Sequence, residues 1–384
     1  MVENIIFSDL GLIGKDLEFK KNIRININKK GEISEIKYDS IDYPLDLMKI
    51  SKKVVIIPGL INSHVHIGDN FAKEKGFNKT LRQVVAPPSG IKHKLLEKTS
   101  SEIKSIGIRK ALEEMIHNGI TCFIDFRERG LEGIKLLKNA LEESLIYGIT
   151  LGRFKNTEDL TRVYSEADGI GLVSYDVVDE RVLKKLETIK DKRRKVIACH
   201  SAEEERNDSL VNRMIEDKIV DVIIHGTHLT KKDLEQISKN DMRLVICPRC
   251  NGYFGVGFPP IIDILKVNLE VSIGTDNFMA NSPDLFEELR YLYRIIRTLK
   301  KNMKIEAKSL IKMITINAAK TFKLEEKMGS IEQGKLANFF MVDLNDSNLF
   351  VPTLEKDEIF PLLMQRVNPS NIKTVYIRGV RVYE

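Results

Sequence analysis

From about residue 100 to residue 275 the chain alternates short apolar runs rich in Val and Ile with amphipathic stretches of ten or more residues. Few folds accept that rhythm. Parallel strands buried on both faces read as near-continuous apolar segments, and the helices that cover them carry a single apolar face. Ser100 and Ser101 can cap a helix that runs through His117, Gly119 ends it, and 120–125 reads as the next strand. The unit then recurs. Helices over 131–143, 157–167 and 179–190 lead to strands over 149–153, 170–175 and 196–200, and three more strands follow at 222–225, 244–247 and 271–275. With 60–64 as the first, the strands number eight, the count required by a closed (β/α)8 TIM barrel. A doubly wound open sheet fits the same periodicity, but neither a GxGxxG turn nor a phosphate loop supports a nucleotide-binding version.

The two ends follow a different pattern. Residues 1–55 and 328–384 alternate apolar with polar positions, with a turn signal at Lys29 to Gly31, so both are expected to be antiparallel strands. The simplest packing is a small β-sandwich built from both termini, with the barrel inserted between them. The expected division is 1–55 plus 325–384 for the composite unit and 56–324 for the barrel. A length of 384 residues accommodates both.

Composition narrows the function. The net charge of +6 arises from 61 basic and 55 acidic residues mixed along the chain, with runs such as Lys184-Lys185 and Lys192-Arg193-Arg194 lying next to acids. That is a solvated surface rather than a basic stripe with aromatic platforms, so no nucleic-acid partner is expected. Four cysteines, no charged-then-apolar leader over 1–9 and no apolar run long enough for a bilayer point to a soluble, cytoplasmic chain without disulfides.

The histidines carry the chemical signal. Of seven, five fall at or just beyond expected strand ends: His64, His66, His200, His225 and His228. In a barrel such positions converge on one mouth. His64 and His66, at i and i+2, share a face of an extended strand and can reach one ion together. His93 and His117 have no motif around them and read as surface or helix-end residues.

The run Pro58-Gly59-Leu60-Ile61-Asn62-Ser63-His64-Val65-His66 resembles the first barrel strand of the amidohydrolase superfamily. Cys199-His200-Ser201-Ala202-Glu203 is similar to the end of that family's fifth strand in its cytosine, guanine and adenosylhomocysteine deaminase branch, which also includes chlorohydrolase-like members. His225-Gly226 resembles the end of the sixth strand, and Gly274-Thr275-Asp276 the end of the eighth. Ser282 to Arg290 and Gly329 to Asn338 also match, although Asn338 stands where the family usually has Asp. Cys247-Pro248-Arg249-Cys250-Asn251 occupies the place of the family's Asn-Pro-x-Ser-Asn, so its CxxC reads as a loop at the substrate side rather than as a zinc or redox pair. The resemblance covers residues from about 54 to the C-terminus.

That resemblance implies a metal-dependent hydrolase of carbon–nitrogen bonds other than peptide bonds. The implied ligands are His64, His66, His200 and Asp276, holding one divalent ion, zinc first and iron second. Such an ion lowers the pKa of a bound water toward roughly 7 from about 15.7. Asp276 also takes the proton of the attacking water, His225 orients it or shuttles protons, and Glu203 protonates a ring nitrogen of the substrate. The fourth strand offers no Lys to bridge a second metal, so one ion is expected. The implied reaction is hydrolytic deamination of a small purine, pyrimidine or related cyclic amidine. The same site could instead serve a cyclic amide hydrolase or a chloro- or alkylamino-hydrolase; from another class, the scaffold could be a catalytically silent binding protein. Relatives often form homo-oligomers.

Candidate substrate contacts are Asp69, Asp125, Arg127, Arg249, Asn251 and Asn277, all at or near strand ends. Each has a plainer alternative. Asp125 could cap the next loop, Arg127 and Glu128 could form a local ion pair, and Cys199, next to a ligand, should face outward into the core.

Overall fold

The computed structural model describes residues 2–193 and 195–384, without the side chains of 2, 3 and 191–193, so the side chains of the Lys192-Arg193-Arg194 run lie outside what is described. Strands Leu60–His66, Ile120–Arg127, Tyr147–Gly152, Gly169–Leu172, Val196–Ser201, Val222–His225, Arg243–Ile246 and Val271–Ile273 pair in parallel, each with the next. Every residue of the first two is buried, the polar ones at their C-terminal ends included. The eighth strand closes the ring. Beyond Gly274 and Thr275 the chain re-forms a strand at Asp276–Asn277, which pairs with Val65 and His66 of the first. This is the expected (β/α)8 barrel. The helix expected after Ser100 runs Ser101–His117, with the Ser100 side chain accepting from the Ile103 N–H.

Two features of the sequence make closure possible. A Cβ on Gly274 would lie 2.6 Å from both Cβ and backbone N of His64, so only glycine lets the eighth strand come so near the first. Beside it, Asn62 Nδ2 donates to Thr275 Oγ1 at 2.8 Å while the Thr275 N–H donates to Asn62 Oδ1 at 3.0 Å. Asn62 and Thr275 are fully buried, so neither bond competes with water. Replacing Asn62 by Ala strands two polar groups of Thr275 and should cost about 3 kcal/mol. Urea titration of the variant checks this, and a loss under 1 kcal/mol would show that the clip does not hold the ring.

Side-chain phase around the ring follows period two. Ile61, Ile124, Ala198, Ile224 and Val245 pack in one cluster with Phe126, while Phe123, Ile170, Cys199, Ile223, Leu244 and Ile246 pack in another with the covering helices. Cys199 therefore faces the helices. The pairing of the first two strands shifts between Asn62 and Val65, which moves Val65 to the helix side and turns His64 and His66 inward.

Both termini build the second unit, a seven-stranded sheet in the order Val380–Tyr383, Ile372–Ile377, Phe339–Asp343, Val54–Pro58, Val2–Ile13, Glu18–Asn28, Ile33–Asp39. It bends back on itself. Glu32 bridges to Leu336, and the Ile33 N–H donates to the Lys335 carbonyl, enclosing Ile23, Ile25, Ile27, Ile56 and Phe339 as a separate core. Two details differ from the strand-only reading of the ends. Val2–Ile13 meets Val54–Pro58 in parallel, because the intervening strands carry the chain round before it returns. Ile359–Arg366 is a helix, its Ile359, Phe360, Leu363 and Met364 buried at helical spacing. Among the described residues no helix is long and apolar enough to cross a membrane, and all four cysteines are free and buried.

Candidate metal centre and active site

The inward strand ends place four imidazoles together. The His64 ring centroid lies 4.8 Å from that of His66, 4.9 Å from His200 and 5.7 Å from His225. Ligand atoms of His64, His66 and His200 all fall within 4.8 Å of one another, and so do those of His64, His225 and Asp276. By the phase of its strand, His225 should share the helix side with Ile223. Instead its φ of 71°, followed by 57° at Gly226, swings it into the mouth. Asp276 is likewise left-handed, at φ 62°. Such backbone costs about 1–3 kcal/mol for a residue other than glycine, and gathers where a site demands it.

Hydrogen bonds set the imidazole tautomers. His66 Nδ1 donates to the Phe126 carbonyl at 3.1 Å, and His200 Nδ1 donates to the Leu172 carbonyl at 3.0 Å. A carbonyl can only accept, so both Nε2 atoms keep a lone pair for the interior. Burial drives His64 down to about 4 and holds His66 and His200 well below the usual imidazole range, so all three are neutral, as metal ligands must be. His64 makes no hydrogen bond through either nitrogen, and Asp276 Oδ1, 3.2 Å from His64 Nε2 and 3.5 Å from His66 Nε2, accepts none. Burial would raise the Asp276 carboxyl, but the neighbouring imidazoles outweigh it and hold the group well below its ordinary value. Orphaned buried atoms of this kind call for a partner. Nitrogen and carboxylate donors facing one point suit a divalent metal ion.

Beside this cluster opens a cavity of about 490 Å³ bordered by His66, Lys92, Arg153, His200, Glu203, His225, Asp276 and Asn277. Its volume is that of a small-molecule site. His225 Nδ1 donates to Asn251 Oδ1 at 3.0 Å, leaving Nε2 3.5 Å from Glu203 Oε1. The Asn251 amide is oriented in turn by its bond to the Thr227 hydroxyl. Burial pushes Glu203 up to about 7, a range in which a carboxyl can both donate and accept a proton.

Of the residues expected to touch substrate, Asn277 alone borders the cavity. Asp69, Asp125 and Arg127 sit beneath it in a buried ionic cluster: Arg127 pairs with Asp125 at 3.1 Å and with Glu128 at 2.8 Å, while Lys92 pairs with Glu128 at 2.5 Å and Asp69 at 3.3 Å. The plainer ion-pair alternative is what the structure contains there. Asp125 also accepts the Ile67 N–H and Asp69 the Met279 N–H, tying the loops after the first and eighth strands. Burial raises Asp69 to about 7 and Asp125 to about 6; the surrounding cations outweigh burial at Glu128 and keep it well below its ordinary value. Glu128 Oε1 lies 2.7 Å from His66 Nδ1, so this cluster backs one of the imidazoles. Arg249 turns away, pairing with Glu287 at 3.1 Å and donating to the carbonyls of Ser282 and Asp284. Asn251 reaches the site through His225. His228 is exposed and bonded to the Val256 carbonyl, apart from the cluster.

Lys92 and Arg153, both at the cavity wall, escape a reading of the sequence. Lys92 looks like any helix-surface lysine, and its acidic partners lie as far away as Glu128; Arg153, at the end of the third strand, has a position signal but no motif.

A model of the amidohydrolase family matches residues 55–382. The chain belongs to the amidohydrolase family. An uncharacterized protein of Methanocaldococcus jannaschii is 38% identical to it over 321 residues, covering 78% of this chain and 82% of that protein. A 5-methylthioadenosine/S-adenosylhomocysteine deaminase of Caldanaerobacter subterraneus is 24% identical over 99% of this amidohydrolase and 93% of its own length. Among solved structures, an adenosine deaminase from Xanthomonas campestris with bound zinc superposes with a TM-score of 0.82 at 16% identity, over 99% of this chain and 92% of that one. The last likeness is one of fold.

Proposed function

We propose that this amidohydrolase deaminates a heterocycle bearing an exocyclic amine, of the purine-nucleoside class, releasing ammonia. The observation that carries the reading is Glu203, a carboxyl pushed up to about 7 that borders the cavity together with His225, His200 and Asp276. Expelling an amine from a ring carbon requires a proton at the ring nitrogen and another on the leaving group, and such a carboxyl can deliver both. The names of the full-length Caldanaerobacter relative and of the Xanthomonas structure agree with it.

His64, His66, His200 and Asp276 would hold one divalent ion, zinc or iron. Bound there, it supplies Lewis acidity that brings the pKa of water toward neutrality. The chain's own groups do the rest. Asp276 accepts the proton as water attacks the amine-bearing carbon. His225, fixed by Asn251, presents Nε2 to the incoming water and to Glu203. Glu203 gives its proton to the ring nitrogen, then takes the proton of the added hydroxyl as that becomes the ring carbonyl and passes it to the amine as the carbon–nitrogen bond breaks; the proton held by Asp276 then restores Glu203. The products are a ring carbonyl and ammonia. Lys92 donates to Asn277 Oδ1 at 2.8 Å and so orients the amide at the cavity wall.

An ammonia-release screen over adenine nucleosides, free purines, pyrimidines, pterins and triazines tests this. Activity on an aminated ring, lost on chelation and restored by zinc or iron, is expected. Silence across the panel, with hydrolysis of cyclic amides or release of chloride from chlorotriazines, would replace the deaminase reading by another hydrolysis at the same site.

A further inference from the structure

The seventh barrel strand is followed by the short helix Pro248–Tyr253, which does not border the cavity. It is firmly anchored. The Arg249 N–H donates to Glu288 Oε2 at 3.1 Å, from a fully buried carboxylate on helix Leu285–Leu299, and the Arg249 guanidinium holds the Ser282 and Asp284 carbonyls at 3.2 and 3.3 Å. From that anchored turn two consecutive side chains reach opposite parts of the site. Asn251 accepts from His225, and Cys250 Sγ–H donates to Asp276 Oδ2 at 2.8 Å. Asn277 Nδ2 approaches the same sulfur at 3.8 Å. Cys250 has no exposed surface.

Asp276 thus has its oxygens divided. Oδ1 faces His64 and His66, and Oδ2 is occupied by the thiol. A carboxylate torsion is soft, so without a donor on Oδ2 the group can turn about its Cβ–Cγ bond and take Oδ1 away from the imidazoles. We propose that Cys250 is a positioning residue: its thiol locks the rotation of Asp276, so that one oxygen faces the metal ligands at every turnover. The partner of His225 is the next residue of the same helix, and both proton-handling groups are therefore set by one element anchored through Glu288. A serine hydroxyl is a stronger donor of similar reach. The thiol is thus replaceable by Ser but not by an apolar group.

This inference rests on the proposed metal-dependent reaction, and its test separates the two. Cys250→Ser, Cys250→Ala and Cys250→Val are purified as full chains, loaded with zinc, and compared with the parent in steady-state kinetics and in the rate at which a chelator withdraws the metal. Loss of one hydrogen bond to a charged group predicts that kcat falls about tenfold in the Ala and Val variants with KM within about twofold, and that zinc leaves several-fold faster. Cys250→Ser should match the parent in both readouts. Parent-like turnover and zinc release in Ala and Val would overturn the inference while leaving the deaminase intact. So would a loss that Ser fails to rescue. Should the Ala variant not fold, Val, closer in volume, carries the comparison with Ser, and the release rate needs no substrate. A parent chain that holds no zinc at all would instead sink the reaction itself.

Discussion

Asp276→Asn is expected to lower kcat/KM about 10⁴-fold, the upper end of what one proton-transfer group contributes, while the folded barrel survives. The amide keeps the size of the carboxylate, so the parallel pairing of Asp276 with Val65 is undisturbed. What changes is chemical. A neutral amide cannot accept the proton of attacking water, and its Nδ2 cannot take the Cys250 hydrogen bond if it replaces Oδ2. His64, His66 and His200 still converge within 4.8 Å, so the variant should bind zinc, more weakly than the parent. Kinetics paired with metal analysis of the dialysed protein measures both quantities. A variant that holds zinc and turns over within tenfold of the parent would remove Asp276 from the proton path.

Much of this geometry is legible in the sequence because buried parallel strands tolerate few polar residues. Ile120–Arg127 and Val222–His225 announce themselves by apolar continuity, and a polar residue at such a strand's end stands out as unexplained by packing. That is why the strand-end histidines His64, His66, His200 and His225 could be singled out, whereas Asp276, and the preference for His225 over His228, came from the resemblance to the amidohydrolase superfamily. The ring closure was also written in small residues, since Gly274 leaves room for the first strand. Substrate contacts were not legible in the same way. Arg249 follows a strand end, yet a helix starts at Pro248 and turns its guanidinium toward Glu287 and Glu288, a direction no local pattern encodes. Lys92 is buried only because Asp69 and Glu128 meet it from other loops, and a sum of long-range pairings has no sequence period. The helix Ile359–Arg366 was hidden by Pro361 and by an apolar run as dense as a strand's.

Glu203→Gln separates proton donation from binding, since the amide can still hydrogen-bond to a ring nitrogen or its neighbours but has no acidic proton to give. Its kcat/KM should fall about 10³-fold, within the range for general acid–base catalysis. The pH profile sharpens the test. Burial raises the Glu203 carboxyl to about 7 from its ordinary value of 4.5, so the acid form, the one that donates, persists up to that pH and is lost above it. The parent's kcat/KM should therefore decline on the alkaline side of about 7, tenfold for each further unit, as this single group deprotonates. In the Gln variant that alkaline limb should vanish from the residual rate. An alkaline limb that persists unchanged would assign the titration elsewhere, and a variant retaining the parent's rate would leave ring-nitrogen protonation to solvent. Because Glu203 lies 3.5 Å from His225 Nε2, the companion variant His225→Asn tells whether the limb belongs to Glu203. Since the His225 ring is the chief influence opposing burial at Glu203, its removal should raise the carboxyl further and move the limb to higher pH.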